Sequence, residues 1–260
     1  MMDGYRTILV EDKGPVCTIR FNRPQAGNTI NSTLIVEMLD ALDEAQRAAQ
    51  TIIVLEGSPG VFCLGADFQE AGEDRSSADA DPEPLYALWQ RLAAGPFISV
   101  AHVRGKVNAG GVGFVAACDI AVAASEARFS LSELLFGLIP ACVMPFLVRR
   151  VGFQKAHYLT MMTQAIGAEQ AAAWGLVDAH GASSEDLLRR HLLRLRPLAR
   201  PAIERYKRFM SAVEPLPAAA RDVALATNRE VFSDQANLAA IRRFVTTGAM
   251  PWETEADHVR

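Results

Sequence analysis

The sequence predicts a single α/β domain, on three observations. Between Tyr5 and about Leu138, short β-rich runs (residues 5–10, 16–21, 52–56, 97–103 and 120–123) alternate with helical stretches such as 32–49. From Pro145 onward the pattern is almost wholly helical, with candidate helices at 185–196, 199–213, 218–232 and 235–246. A chain of 260 residues with 50% hydrophobic content also buries a large core, as one domain of this length ordinarily does.

Taken in order, the run TIIVLEG (51–57) reads as a buried strand and leads into VFCLGADFQEA. There Gly65-Ala66-Asp67 ends the strand and opens toward a polar helix start, with Asp67 as its N-cap and the N–H of Ala66 left exposed beside the turn. The next segment, GEDRSSADADPEP (72–84), is acidic and rich in Ser, Ala and Pro, so it adds nothing to a core. It reads as a mobile lid or as a passive surface loop. Behind it, Tyr86 and Trp89 stand one helical turn apart, either as an aromatic face that closes over a substrate or as a packed helix face. A further β-rich run, 98–103, precedes the pair Gly110-Gly111 and an Ala-rich apolar stretch. Glycines at a helix start let a backbone approach a ligand closely while free N–H groups point outward.

Downstream stands a lone carboxylate, Glu133, in mostly apolar surroundings. Two backbone donors from separate loops, near Ala66 and near Gly110, are what a thioester carbonyl needs as it becomes an enolate. Glu133 is the candidate base that creates the charge. The stretch 111–116 also fits G-x-G-x-x-A, the dinucleotide fingerprint, but that motif needs an acidic residue about 20 positions on. Asp119 comes too soon and Glu133 sits in a different pattern, so close helix-to-strand packing is the plainer alternative for these glycines.

Composition narrows the remaining classes. Lys plus Arg is 26 and Asp plus Glu is 30, and the formal charge of −4 argues against general nucleic-acid binding. A cationic cluster (Arg189, Arg190, Arg194, Arg196, Arg200, Arg205, Lys207, Arg208) spans two predicted helices. It reads as solvated surface or as a docking face for an acidic carrier protein or a phosphate. The four cysteines, Cys17, Cys63, Cys118 and Cys142, lack C-x-x-C spacing and read as reduced core thiols, with Cys142 placed to line an acyl pocket. The five histidines show no metal-ligand spacing, so no metal is expected. The start, MMDGYRTILVEDKG, carries no apolar core behind a basic stretch. The nearest approach to a membrane span, 107–124, contains Asn108, Asp119 and three glycines and reads as buried turn, helix and strand. Both point to a cytoplasmic protein without a membrane span.

Over almost its whole length the chain resembles the crotonase (enoyl-CoA hydratase/isomerase) superfamily. The resemblance is carried in order by FNRPQAGNTIN, FCLGAD, NAGGVGF, CDIAVA, FSLSELLFGLIP, AAAWGLVD and SDQANLAAIRRFVTTGAMPWE. It implies a crotonase fold: a stacked ββα spiral core over residues 1–195 and a C-terminal helical region over 196–260. In the family that region builds a trimer, or a dimer of trimers, and covers a neighbour's active site. The resemblance puts Ala66 and Gly110 at the two oxyanion-hole positions and Glu133 at the second of the two hydratase glutamates. The first of those glutamates is replaced here by Gly113.

That departure makes ordinary hydration of a straight-chain enoyl-CoA doubtful. FCLGADFQE, RGKVNAGGVGF, FSLSELLFGLIPAC and TGAMPWE are similar to the dehydratase family of polyketide β-branching cassettes. These enzymes convert 3-hydroxy-3-methylglutaryl on an acyl carrier protein to 3-methylglutaconyl. The sister decarboxylases carry a Tyr and a Lys one turn apart, whereas this chain has Tyr86 and Gln90. The resemblance thus implies a hydro-lyase with no cofactor beyond the phosphopantetheine of a carrier protein, or CoA, that bears the acyl group. Glu133 serves as base and then as acid, and Tyr86, Trp89, Asn108, Gly113 and Cys142 line the pocket, with free volume at Gly113 receiving the branched carbon. A conventional hydratase or isomerase, the sister decarboxylase and a non-catalytic acyl-binding scaffold are the alternatives.

Overall fold

In the computed structural model, which describes residues 4–68, 81–216 and 218–253, the β-rich runs of the first half lie side by side. β1 (Ile8–Lys13) and β2 (Val16–Phe21) form an antiparallel hairpin, and α1 (Ser32–Arg47) crosses to β3 (Ile52–Glu56), which pairs parallel with β2. β4 (Gly60–Cys63), α2 (Glu83–Ala94), β5 (Ile98–Val103), β6 (Gly105–Asn108), α3 (Gly110–Ala117), β7 (Ile120–Ala124) and β8 (Arg128–Ser130) follow. The rest comprises α4 (Met144–Val151), α5 (Phe153–Met162), β9 (Ile166–Gly167), α6 (Ala168–Ala173), β10 (Ala179–Gly181), α7 (Ser184–Leu195), α8 (Arg200–Val213), α9 (Ala218–Ser233) and α10 (Gln235–Thr247).

Two sheets result, one in the order β1-β2-β3-β5-β7-β10 and a smaller one in the order β4-β6-β8-β9. Each pass of the chain lays one strand in the large sheet, the next in the small sheet, and then a helix. β3-β4-α2 and β5-β6-α3 are two such passes, and their stacking is the ββα spiral. The central strand β3 is buried at all five residues, IIVLE, because β2 and β5 flank it and both its faces are covered. α1 starts where the Asn31 side chain accepts the Leu34 N–H at 2.9 Å. It buries Leu34, Met38, Ala41, Leu42 and Ala45, one apolar stripe at helical spacing.

Two readings of the sequence change. The small sheet escaped notice because its strands are two to four residues long, too short for an alternating pattern to register. The stretch after Pro145 is not wholly helical: β9 joins the small sheet, and β10 extends the large one parallel to β7. No helix of the described residues is long and apolar enough to cross a membrane.

Three members of the cationic cluster are held in ion pairs. Arg189 pairs with Asp186 and Arg200 with Glu204, both on their own helices. Lys207 leaves the surface altogether. Its Nζ reaches Asp119 at 2.6 Å and the carbonyls of Phe97 and Leu92 at 2.9 and 3.2 Å, tying α8 to the end of α2 and the start of β5. Asp119 also accepts from Ser99 N–H at 2.8 Å. Buried His102 likewise bridges Glu56 at 2.9 Å and Ser184 at 3.0 Å, pinning α7 to the sheet.

Removing one partner of a buried pair leaves the other charge uncompensated. Lys207→Ala is therefore expected to lower the unfolding free energy in urea by about 3 kcal/mol, the low end of the range for such pairs, because Asp119 retains some solvent. A loss below roughly 1 kcal/mol, the size of an exposed ion pair, would contradict the buried role.

Candidate active site

The loop between β2 and α1 shapes one wall of a cavity. Asn28, fully buried, donates to Ser58 Oγ and to the carbonyls of Val61 and Phe62 at 2.9, 3.1 and 3.2 Å, which clamps the loop onto β4. Arg23 bonds Asp67 at 2.6 Å and the Thr29 carbonyl at 2.6 Å, while the Thr29 hydroxyl donates to Asp67 at 3.0 Å. Asp67 is thus an anchor for the turn after β4. The segment that Asp67 was expected to cap falls in residues 69–80, which lie outside the described residues.

That turn presents Ala66. Ile30 donates to Gly65 O and accepts from Asp67 N–H, as in a parallel bridge, so the N–H of Ala66 points away from Ile30. Gly65 has φ +95°, and a Cβ there would lie 2.7 Å from Ala109 Cβ and 3.4 Å from Gly110 N. The two turns therefore meet. At the second turn the left-handed residue is not a glycine but Ala109, at φ 51° and ψ −126°. Such a conformation costs on the order of 1–3 kcal/mol, and the Ala109 N–H bond to Ser130 O, 3.0 Å, helps to hold it. The glycine at 111 is needed for clearance, since a Cβ there would sit 2.2 Å from Cys63 O. Gly110 opens α3, so its N–H has no partner within the helix.

Ala66, Gly110 and Glu133 all line one cavity of about 460 Å³. Glu133 opens a short 3-10 turn, and its Oε2 is buried without a hydrogen-bond partner among the described residues. Burial pushes its carboxyl up to about 7, against the N–H groups of Glu133 and Ser132, which favour the charged form. Asn108 stands behind this turn: it accepts from Ser130 Oγ and donates to Ser132 Oγ, both at 2.8 Å. Backbone donors that share a cavity with a carboxyl pushed up to about 7 can in principle stabilise an oxyanion while a proton is moved.

Of the residues expected to line the pocket, Trp89 and Cys142 do, whereas Tyr86, Asn108 and Gly113 do not. Tyr86 is fully buried against Phe146, ring centroids 5.1 Å apart, so it is a packed helix face and not a closing one. The free volume expected at Gly113 is not free: a Cβ there would lie 2.5 Å from Trp89 Cζ2. The Cys142 thiol, pushed up to about 12 by burial, stays neutral and forms part of the apolar wall. Among the described residues no cluster of three or more His, Cys, Asp or Glu side chains could hold a metal ion.

Sequence reasoning missed the roof. Asn228 and Phe232 of α9 line the cavity of their own chain, and Arg229 and Arg221 tie α9 to Asp81 and Glu83 ahead of α2 and at its start. α9 thus covers the site of its own chain. Residues 72–80 of the segment read as a lid lie outside the described residues; of its remainder, Asp81, Pro82 and Pro84 line the cavity mouth.

This architecture has relatives. The profile of the Enoyl-CoA hydratase/isomerase family matches residues 11–255. The chain is 53% identical to the bacillaene synthase dehydratase PksH of Bacillus subtilis (strain 168), over 96% of this chain and 98% of that one. It is 32% identical to the 2,3-dehydroadipyl-CoA hydratase of Escherichia coli (strain K12), over 65% and 67%. The crystal structure of the polyketide biosynthesis enoyl-CoA hydratase pksH from Bacillus subtilis superposes with a TM-score of 0.91 at 52% identity, covering 95% of this chain and all of that one. With this match across the spiral core and the covering helices, the chain belongs to the enoyl-CoA hydratase/isomerase family and is an enzyme of its hydro-lyase kind.

Proposed function

We propose that the protein dehydrates 3-hydroxy-3-methylglutaryl, held as a thioester on an acyl carrier protein, to 3-methylglutaconyl-carrier protein in polyketide β-branching. One observation carries the chemistry: the carboxyl of Glu133, pushed up to about 7 by burial, shares a cavity with the backbone donors of Ala66 and Gly110. The likeness to a bacillaene synthase dehydratase supports the polyketide setting and the carrier-bound substrate.

In this reading the thioester carbonyl sits between the N–H groups of Ala66 and Gly110, which stabilise the enolate formed when Glu133 takes the α-proton. Glu133, now protonated, returns that proton to the β-hydroxyl. The enolate electrons form the new double bond as water leaves. A carboxyl near pH 7 suits both halves, being basic enough to accept the proton and acidic enough to give it up. The exposed Phe153, Tyr158 and Met161 of α5 fit the trimer that the resemblance implies. The carrier's phosphopantetheine arm brings the acyl group to the cavity mouth.

As the base must be ionised, kcat/KM should rise with pH along an acid limb centred near 7. A limb near 4, the ordinary carboxylate value, would remove the burial argument. Glu133→Gln should slow dehydration by about 10²–10⁴-fold, and retention of a tenth of the rate would rule Glu133 out as base. The same pKa has a cost in stability. Its folded value lies above the unfolded one, so stability falls as pH rises from about 4.5 through about 7. Glu133→Gln should therefore melt higher than the parent at pH 8 and near it at pH 5, as thermal unfolding at both values will read. For the substrate, intact-mass analysis of a loaded carrier should show a loss of about 18 Da, the water removed by acid–base elimination. A further loss of about 44 Da with this protein alone would mean decarboxylation instead of simple elimination.

A further inference from the structure

Gly113 and Trp89 exclude one another. A Cβ built on Gly113 would lie 2.5, 2.7 and 2.8 Å from Cζ2, Cη2 and Cε2 of the indole, closer than real Cβ atoms approach other groups. Two aromatic rings hem the indole in. It is 1% exposed, with Phe114 and Phe146 each 5.8 Å away in edge-on packing at 89° and 75°. Its Cζ2 edge also stands 3.9 Å from where a Cβ on Gly110 would be, so the indole borders the turn that carries one backbone donor as well as the vacated position. Trp89 lines the cavity that Glu133 lines.

We infer that Trp89 is a specificity-determining residue: its indole occupies the room a glutamate side chain at position 113 needs, and so leaves Glu133 without a carboxylate partner there and the site closed to ordinary straight-chain hydration. The inference rests on Glu133 acting as the base. Absence of a glutamate at 113 is then one half of a paired change, and restoring that glutamate alone cannot restore hydratase chemistry, because the indole still fills its place.

A double-mutant cycle tests this with two readouts. Gly113→Ala adds only the overlapping methyl. Alone it should lower Tm, and in a Trp89→Leu background it should leave Tm unchanged or raise it, since alanine is the better helix former. Equal losses in both backgrounds would overturn the steric pairing. Trp89→Leu/Gly113→Glu should then hydrate crotonyl-CoA at least about tenfold faster than the parent and than either single variant, a conservative fraction of what a placed carboxylate contributes. A folded double variant without that gain would overturn the specificity role. Should Trp89→Leu fail to fold, Trp89→Phe removes Cζ2 and Cη2 while keeping an aromatic surface against Phe114 and Phe146. Neither readout uses the branched carrier-bound substrate, so failure of that assignment leaves both outcomes interpretable. Loss of the gained hydration on adding Glu133→Gln shows that it runs on the same base.

Discussion

The close approach of two backbone turns is the constraint on which the rest of the site depends. β4 and β6 pair parallel, so their C-terminal ends emerge side by side, and the turn at Gly65-Ala66 abuts the start of α3 at Ala109-Gly110. A side chain at 65 or 111 would force the turns apart, since Ala109 Cβ and Cys63 O already occupy those places. Only with the turns in contact can two N–H groups from separate passes of the spiral face one cavity. The strained Ala109 is the consequence, and the hydrogen bond to Ser130 from the adjoining strand β8 shows how the small sheet holds it.

Glu133 draws its chemistry from the same arrangement. Its turn follows β8, which pairs parallel with β6, so Glu133 lines the same cavity as Ala66 and Gly110. Asn108 at the end of β6 holds Ser130 and Ser132 on either side of Leu131, and α10 steadies the far end of the turn through the Asn237 bond to Gly137 O at 3.1 Å and the packing of Phe136 on Phe244. An apolar cavity raises the carboxyl's affinity for a proton, and that is also a destabilisation of its charged form. The fold tolerates it because large aromatic and aliphatic side chains surround the site, including Trp89, Phe114 and Phe146 in one packed group.

The C-terminal helices complete the enclosure from far along the chain. α9 brings Phe232 over the cavity beside Phe68, rings 6.4 Å apart, and Arg229 fixes the helix to Asp81 at 2.9 Å. α8 contributes no cavity residue but locks the sheet beneath through Lys207. Roof and floor therefore depend on ion pairs formed between residues more than eighty positions apart.

The amino-acid sequence by itself determined the large elements: β2 and β3 run over the residues whose apolar pattern predicts them, and α1 and α7 to α10 agree to within two residues at either end. Their periodicity is long enough to survive without context. It also singled out Ala66, Gly110 and Glu133, because short ordered motifs carry the family resemblance. Tertiary structure alone decided the small sheet, whose strands are too short to show a period, and the fates of Tyr86 and Trp89, which read equally as a closing face or a packed one, and of Lys207, which read as surface. It decided, too, that the room left by a missing side chain at 113 is filled by an indole from another helix. A sequence shows which side chain is absent; what takes its volume is set by packing between segments that only folding brings together.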